Sequence, residues 1–252
     1  AGTFVNESEV IIDNASSIDV AAFTNANGGV LDHADGLLTV SSGVFDNQIG
    51  GLVRVDTQTS TFTAMDFTND IVNAGVIEFF GSNAGEISVG GGAGTLLNTG
   101  TGGIFVTDGD HVLNGELVNT AGGVVSVNAQ GAGLARLSHE AAFTNDGLLH
   151  LTTGASGSQE AIFNQGSGFT LTNVGTIAMD GGIAGDLVEL SSDFDNSGTL
   201  VVNFAGESRL VPATGFDAVM VNSGTIEISG ASDFSIGISG ATGNTDFTNS
   251  GV

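Results

Sequence analysis

Apolar and polar positions along this chain fall into one recurring phrase, apolar-x-Asn-x-Gly-(Thr/Gly)-apolar-x-apolar. It is clearest at Phe194-Asp195-Asn196-Ser197-Gly198-Thr199-Leu200-Val201-Val202 and at Met220-Val221-Asn222-Ser223-Gly224-Thr225-Ile226-Glu227-Ile228. Looser copies place their asparagines at Asn6, Asn25, Asn47, Asn73, Asn98, Asn119, Asn145, Asn173 and Asn249. Successive anchors lie 19 to 28 residues apart. Self-similarity at a period of roughly 20–50 residues marks an architecture of stacked repeats.

Each phrase predicts a corner followed by a strand. After the glycine, apolar residues alternate with others: Ile226 and Ile228 around Glu227, Ile77 and Phe79 around Glu78, Leu149 and Leu151 around His150, Val53 and Val55 around Arg54. Period two is strand geometry with one face buried, so the intervening Glu, His and Arg point outward. The glycine is expected at positive φ, where a Cβ is disfavoured. The asparagine is expected at the corner itself, tolerating the left-handed region. Stacked from turn to turn, the asparagines would form an amide ladder. Phe, Leu or Met two positions earlier would point into the core, in Phe-x-Asn form at Phe4, Phe23, Phe45, Phe143, Phe194 and Phe247. Two corner classes are legible. In the tight class four positions separate Asn from the first inward residue, as from Asn173 to Ile177 and Asn196 to Leu200. In the wide class two more residues and a Gly-Gly pair intervene, as from Asn47 to Val53 and Asn119 to Val125.

A turn of this length holds two or three short strands, each pairing with its equivalent in the next turn, about 4.8 Å away. Residues 1–252 therefore read as one all-β solenoid, a right-handed parallel β-helix of about ten turns and about 48 Å, right-handed because parallel crossovers nearly always are. Irregular bulges are expected at 85–95, 154–168 and 205–218, the last containing the single proline, Pro212. A β-sandwich or propeller competes, but a propeller blade needs about 40 residues or more. The phrase recurs at Phe4-Val5-Asn6 and again at Phe247-Thr248-Asn249. Uncapped ends, and a place within a longer repetitive chain, are thus expected, because solenoids normally carry terminal caps.

Composition sharpens this. The chain is 40% apolar and 12% charged, with 41 glycines and no cysteine, Trp or Tyr. Absent cysteine removes disulfides, thiolate metal sites and a cysteine nucleophile. Phenylalanine supplies all 16 aromatics, which suits a dry core and makes poor platforms for sugars. Arg54, Arg136 and Arg209 are the whole basic complement beyond histidine, against 28 acids, for a net charge of -25. Such a surface repels nucleic acid and anionic membranes. It favours solubility and would attract divalent cations or basic partners. No apolar run approaches the roughly 20 residues needed to span a bilayer, so no membrane insertion is expected.

At Leu171-Thr172-Asn173-Val174-Gly175-Thr176-Ile177-Ala178-Met179 the chain resembles the repeat regions of large bacterial secreted adhesins, the filamentous-haemagglutinin-like and autotransporter-passenger-like proteins. The resemblance implies a right-handed parallel β-helix at a bacterial cell surface, serving as stalk, adhesin or matrix component. Its implied partners are neighbouring repeats or copies of the chain stacked end to end, and host or cell-surface glycans and proteins.

Catalytic chemistry is hard to assemble from these residues. Asn244-Thr245-Asp246 resembles a tripeptide of polygalacturonase-like enzymes, but their paired Asp-Asp, Gly-His-Gly and Arg-x-Lys elements are missing. The pairs Asp32/Asp35, Asp108/Asp110 and Asp193/Asp195 read as solvated strand ends. Nor is there a Gly-x-Ser-x-Gly elbow. His33, His111, His139 and His150 lack metal-ligand spacing. The acidic turns at Thr107-Asp108-Gly109-Asp110 and Met179-Asp180-Gly181-Gly182 make Asp108, Asp110 and Asp180 calcium candidates, although neither turn continues into an EF-hand loop. Gly91-Gly92-Ala93-Gly94-Thr95-Leu96 begins like a calcium-binding nonapeptide but has Leu96 where Asp is required. The expectation is a non-enzymatic extracellular rod without catalytic residues or cofactor. The alternatives are a self-assembling filament subunit and a polysaccharide-active enzyme.

Overall fold

Three short strands per turn, each with alternating burial, generate the architecture. The computed structural model describes every residue except Ala1, 59–61, 132, 155–156, 213–217, 230–232 and 238–244. The strands among the described residues form three parallel sheets of eleven, ten and ten strands, each sheet taking every third strand. Sheet A runs from Thr3–Asn6 to Thr245–Asn249, sheet B from Glu9–Ile12 to Thr225–Ile228, and sheet C from Ser16–Asp19 to Asp233–Ile236. The chain is a parallel β-solenoid.

The alternation in the sequence is the alternation in the structure. In Leu52–Asp56 and Val76–Phe80, Val53, Val55, Ile77 and Phe79 are buried while Arg54 and Glu78 point outward. Inward residues of all three sheets merge into one hydrophobic cluster. Fully burying each such Val, Leu, Ile, Phe or Met contributes about 1.5–3 kcal/mol. Phe4, Phe23 and Phe45 stack at ring separations of 4.9 and 4.8 Å. Phe45 then meets Phe67 of sheet C at 4.8 Å, so the aromatic column crosses between sheets. Phe143 and Phe194 are equally buried, and the side chain of Phe247 lies outside the described residues. Ile228 departs from the inward reading, being 54% exposed in the outermost strand of sheet B.

Both corner classes deliver their first strand residue to the core: Ile177 and Leu200 after tight corners, Val53 and Val125 after wide ones. The reason for the glycine differs from expectation. The glycines of the tight corners, Gly75, Gly147, Gly175, Gly198 and Gly224, are not at positive φ. A Cβ there would collide with the backbone of the preceding turn, as at Gly198 with the carbonyls of Gly175 and Val174. In the wide corners a positive φ does occur, but at the first glycine of the pair (Gly28, 83°; Gly50, 82°; Gly122, 87°). The asparagines are not left-handed either. The only described non-glycine residues at positive φ are Asp108 and Ser158. Each asparagine is the last residue of a sheet A strand, and every one except the exposed Asn249 has its side chain buried.

Sheet C strands run through the segments expected to be irregular, of which 155–156 and 213–217 lie outside the described residues. Ala84–Val89 occupies half of 85–95 before a 3-10 turn at Gly90–Gly92, Glu160–Gln165 crosses 154–168, and Glu207–Val211 crosses 205–218.

Candidate functional site

The asparagine ladder is the most ordered polar feature. In sheet A, asparagine faces asparagine in every pair of neighbouring strands. Ten successive Nδ2 donors, from Asn6 to Asn222, reach the Oδ1 of the next asparagine at 2.6–2.9 Å, ending on Asn249. From Asn6 to Asn196 the amide also donates to a backbone carbonyl at the start of sheet B in the following turn, such as Val30 O, Leu52 O and Val76 O, each at 3.0 Å, whereas Asn222 donates to Gly224 O of its own corner. Asparagine suits this because its short amide carries donor and acceptor on opposite sides, matching the strand spacing. The rungs from Asn25 to Asn222 are fully buried, and burial of so many amides is tolerable only because each is satisfied.

The outer faces carry the charge. Each arginine is placed by register beside acids of adjacent turns. Arg54 lies between Asp32 (3.4 Å) and Glu78 (3.0 Å), with its Cζ 5.2 Å from the Phe80 ring centroid. Arg136 pairs with Asp110 at 2.9 Å. Arg209 grips Glu207 through Nε (2.7 Å) and Nη2 (2.9 Å) and reaches Glu189 at 3.7 Å. Burial pushes the Asp32 carboxyl up, and Arg54 opposes that only in part. Burial likewise raises Glu189 against the pull of Arg209. Around these pairs the surface is left acidic.

The calcium candidates do not converge. Asp108 Oδ1 accepts the backbone N–H groups of Gln130 and Gly131, each at 3.0 Å, tying its turn to the next. Asp110 is on Arg136, and Asp180 accepts His150 Nε2 at 2.8 Å. Among the described residues no group of three or more His, Cys, Asp or Glu is placed to hold a metal. Asp193 and Asp195 face outward on either side of buried Phe194, and Asn244 lies outside the described residues. His150 is outward, but His33, His111 and His139 are fully buried. His139 donates Nε2–H to Gly115 O (2.9 Å), and burial lowers its pKa to about 4.

Two features escaped the sequence. Asp186, 1% exposed, accepts Gln159 N (3.0 Å), Ile183 N (3.0 Å) and Thr153 Oγ1 (2.9 Å). Burial pushes its pKa up, but these donors outweigh that and hold it below the usual carboxylate value. A groove of about 570 Å³ on sheet C is lined by Glu160, Asp186, Glu207, Arg209 and Asp233. Asp186 is consumed by its donors and Glu207 by Arg209. Glu160 and Asp233 are three strand steps apart, about 14 Å, beyond the roughly 5–10 Å of a glycosidase acid pair. Nothing in the phrase marks Asp186 or Glu160 as different from any other acid, since only the register brings them together.

Fold and site together define a parallel β-solenoid with an internal amide ladder and an acidic exterior. No family model matches the chain, and no curated protein or solved structure is significantly similar to it. The resemblance to adhesin repeats therefore rests on the repeated phrase.

Proposed function

We propose that the chain is a non-enzymatic structural and adhesive rod of a bacterial surface protein, working outside the cell. The reading is carried by the unbroken ladder, which holds successive turns in one register while leaving the outward residues free to vary. In a rod, function needs length, stiffness and a display surface rather than a converging set of catalytic groups. The carboxylates of the sheet C groove around Asp186 are either consumed by neighbours or too far apart for paired acid–base work. We take the coil as right-handed, following the handedness of parallel crossovers. The test has two arms. Antibody labelling of intact producing cells is expected to decorate the surface, and the purified chain is expected to release no reducing sugar from acidic polysaccharides. Labelling only after lysis would overturn the location, and sugar release would overturn the non-enzymatic role.

A second reading is favoured by ladder polarity. Every Nδ2 in the ladder donates toward the higher-numbered rung, so each turn presents amide hydrogens on one face and amide oxygens on the other. Such faces are complementary head to tail, the arrangement that generates open filaments rather than closed dimers. Electron microscopy of the concentrated chain distinguishes fibres from single rods.

A further inference from the structure

We infer that a groove on the outer face of sheet C, around Phe62, Asp66 and Glu86, is a docking site for an arginine or lysine side chain of a basic partner polypeptide. This inference does not rest on where the rod works, since the groove is a property of the sheet.

Register builds the groove. Leu37, Ala64 and Glu86 are neighbours on three successive strands, and the small Ala64 forms a floor between two longer side chains. Phe62 and Asp66 flank Ala64 along its own strand, Phe62–Phe67. The cavity is about 310 Å³, with Leu37 and Phe62 each 46% exposed at its rim. Asp66 Oδ1 is buried and has no hydrogen-bond partner among the described residues. Glu86 is held in place by Asn114, whose Nδ2 donates to Oε1 at 2.7 Å.

The same chemistry occurs elsewhere in the molecule with its cation present. On sheet B, Arg54 lies between carboxylates of the adjacent strands and against the Phe80 ring. Sheet C repeats the ingredients, an aromatic ring and two carboxylates from neighbouring strands, without the arginine. The chain's three arginines are all engaged with acids elsewhere, and lysine is absent. None of these arginines reaches the groove, whose cation we assign to a basic partner. An aliphatic stem would cover Ala64 and Leu37, and the charged head would meet Asp66 and Glu86 beside Phe62, combining apolar burial, charge-assisted hydrogen bonds and cation–π attraction.

The test is fluorescence anisotropy with a labelled tetra-arginine peptide at about 0.15 M salt, where long-range attraction is screened. The wild-type chain is expected to bind. Asp66→Asn with Glu86→Gln is expected to weaken binding by roughly tenfold or more, the scale of lost hydrogen bonds to charged groups. Asp195→Asn with Glu227→Gln removes the same charge from exposed positions outside the groove and is expected to change affinity less than about twofold. Ser88→Arg, which pairs in register with Asp66, is expected to fill the site from within and abolish binding. Unchanged far-ultraviolet circular dichroism and melting verify that each variant is folded. Absent wild-type binding, equal weakening by the two double variants, or binding that survives Ser88→Arg would overturn the proposal.

Discussion

Two corners of the same solenoid treat buried polar groups in opposite ways. Where sheet A turns into sheet B, identical asparagines stack and each amide is satisfied by the next. Where sheet C turns back toward sheet A, His139 and Gln165 stack in register, with Ser192 buried at the same corner. There each long side chain bonds only to backbone: His139 to Gly115 O and Gln165 to Ala141 O. His139 Nδ1 and Gln165 Oε1 have no hydrogen-bond partner among the described residues. The difference teaches that a ladder needs one residue type repeated at one spacing. Mixed side chains of unequal length cannot propagate a bond, and leave orphaned atoms that destabilise the buried corner.

The largest expected effect comes from cutting the ladder. Asn145→Leu leaves Asn119 Nδ2 without its acceptor and Asn173 Oδ1 without its donor, both buried. Two such losses are expected to cost about 4 kcal/mol in urea unfolding. A cost below about 1 kcal/mol would show that the ladder decorates the fold rather than holding it.

At the other corner, acid is the sharper tool. The His139 pKa of about 4 lies below its ordinary 6.5, so the unfolded chain takes up the proton first. Its contribution is therefore intact above pH 6.5 and is lost as the pH falls toward 4, by about 3 kcal/mol in all. His139→Leu is expected to flatten that part of the pH–stability curve. An unchanged slope would mean that other groups, such as His111, whose pKa burial also lowers, carry the dependence.

A smaller contrast separates the two glycines of a wide corner. At Gly29 a Cβ would strike Asn6 O and lie 2.6 Å from Asn25 Oδ1, whereas at Gly28 (φ 83°) nothing lies within 4 Å. Gly29→Ala is expected to cost about 2–3 kcal/mol as backbone overpacking. Gly28→Ala is expected to cost about 1 kcal/mol, for the left-handed conformation alone. Equal melting temperatures for the two variants would erase the distinction.

Much of this was legible in the chain. The asparagine spacing, the inward Phe two residues earlier and the alternation after the glycine all report local geometry repeated many times, so chance agreement is averaged away. The role of the glycine was misread because a close approach between turns leaves the same sequence mark as a positive φ. The buried histidines were missed for another reason: His33, His111 and His139 occupy inward beats of their strands alongside Leu31, Leu113 and Leu137, but a polar side chain there breaks the apolar signal that marks the inward face. The grooves were invisible because Glu86 and Ala64, 22 positions apart in sequence, become neighbours only through the register of one particular pair of turns.

By itself the sequence determined that the chain coils into stacked turns with an asparagine at one corner of each, because a period repeated at every turn is a local property. The tertiary structure alone decided which outward residues meet. Turn lengths vary from 19 to 28 residues, so no fixed offset predicts the neighbour of a given side chain. Backbone pairing between turns sets those neighbours, giving Arg54 its two acids and leaving Asp66 Oδ1 without a hydrogen-bond partner among the described residues.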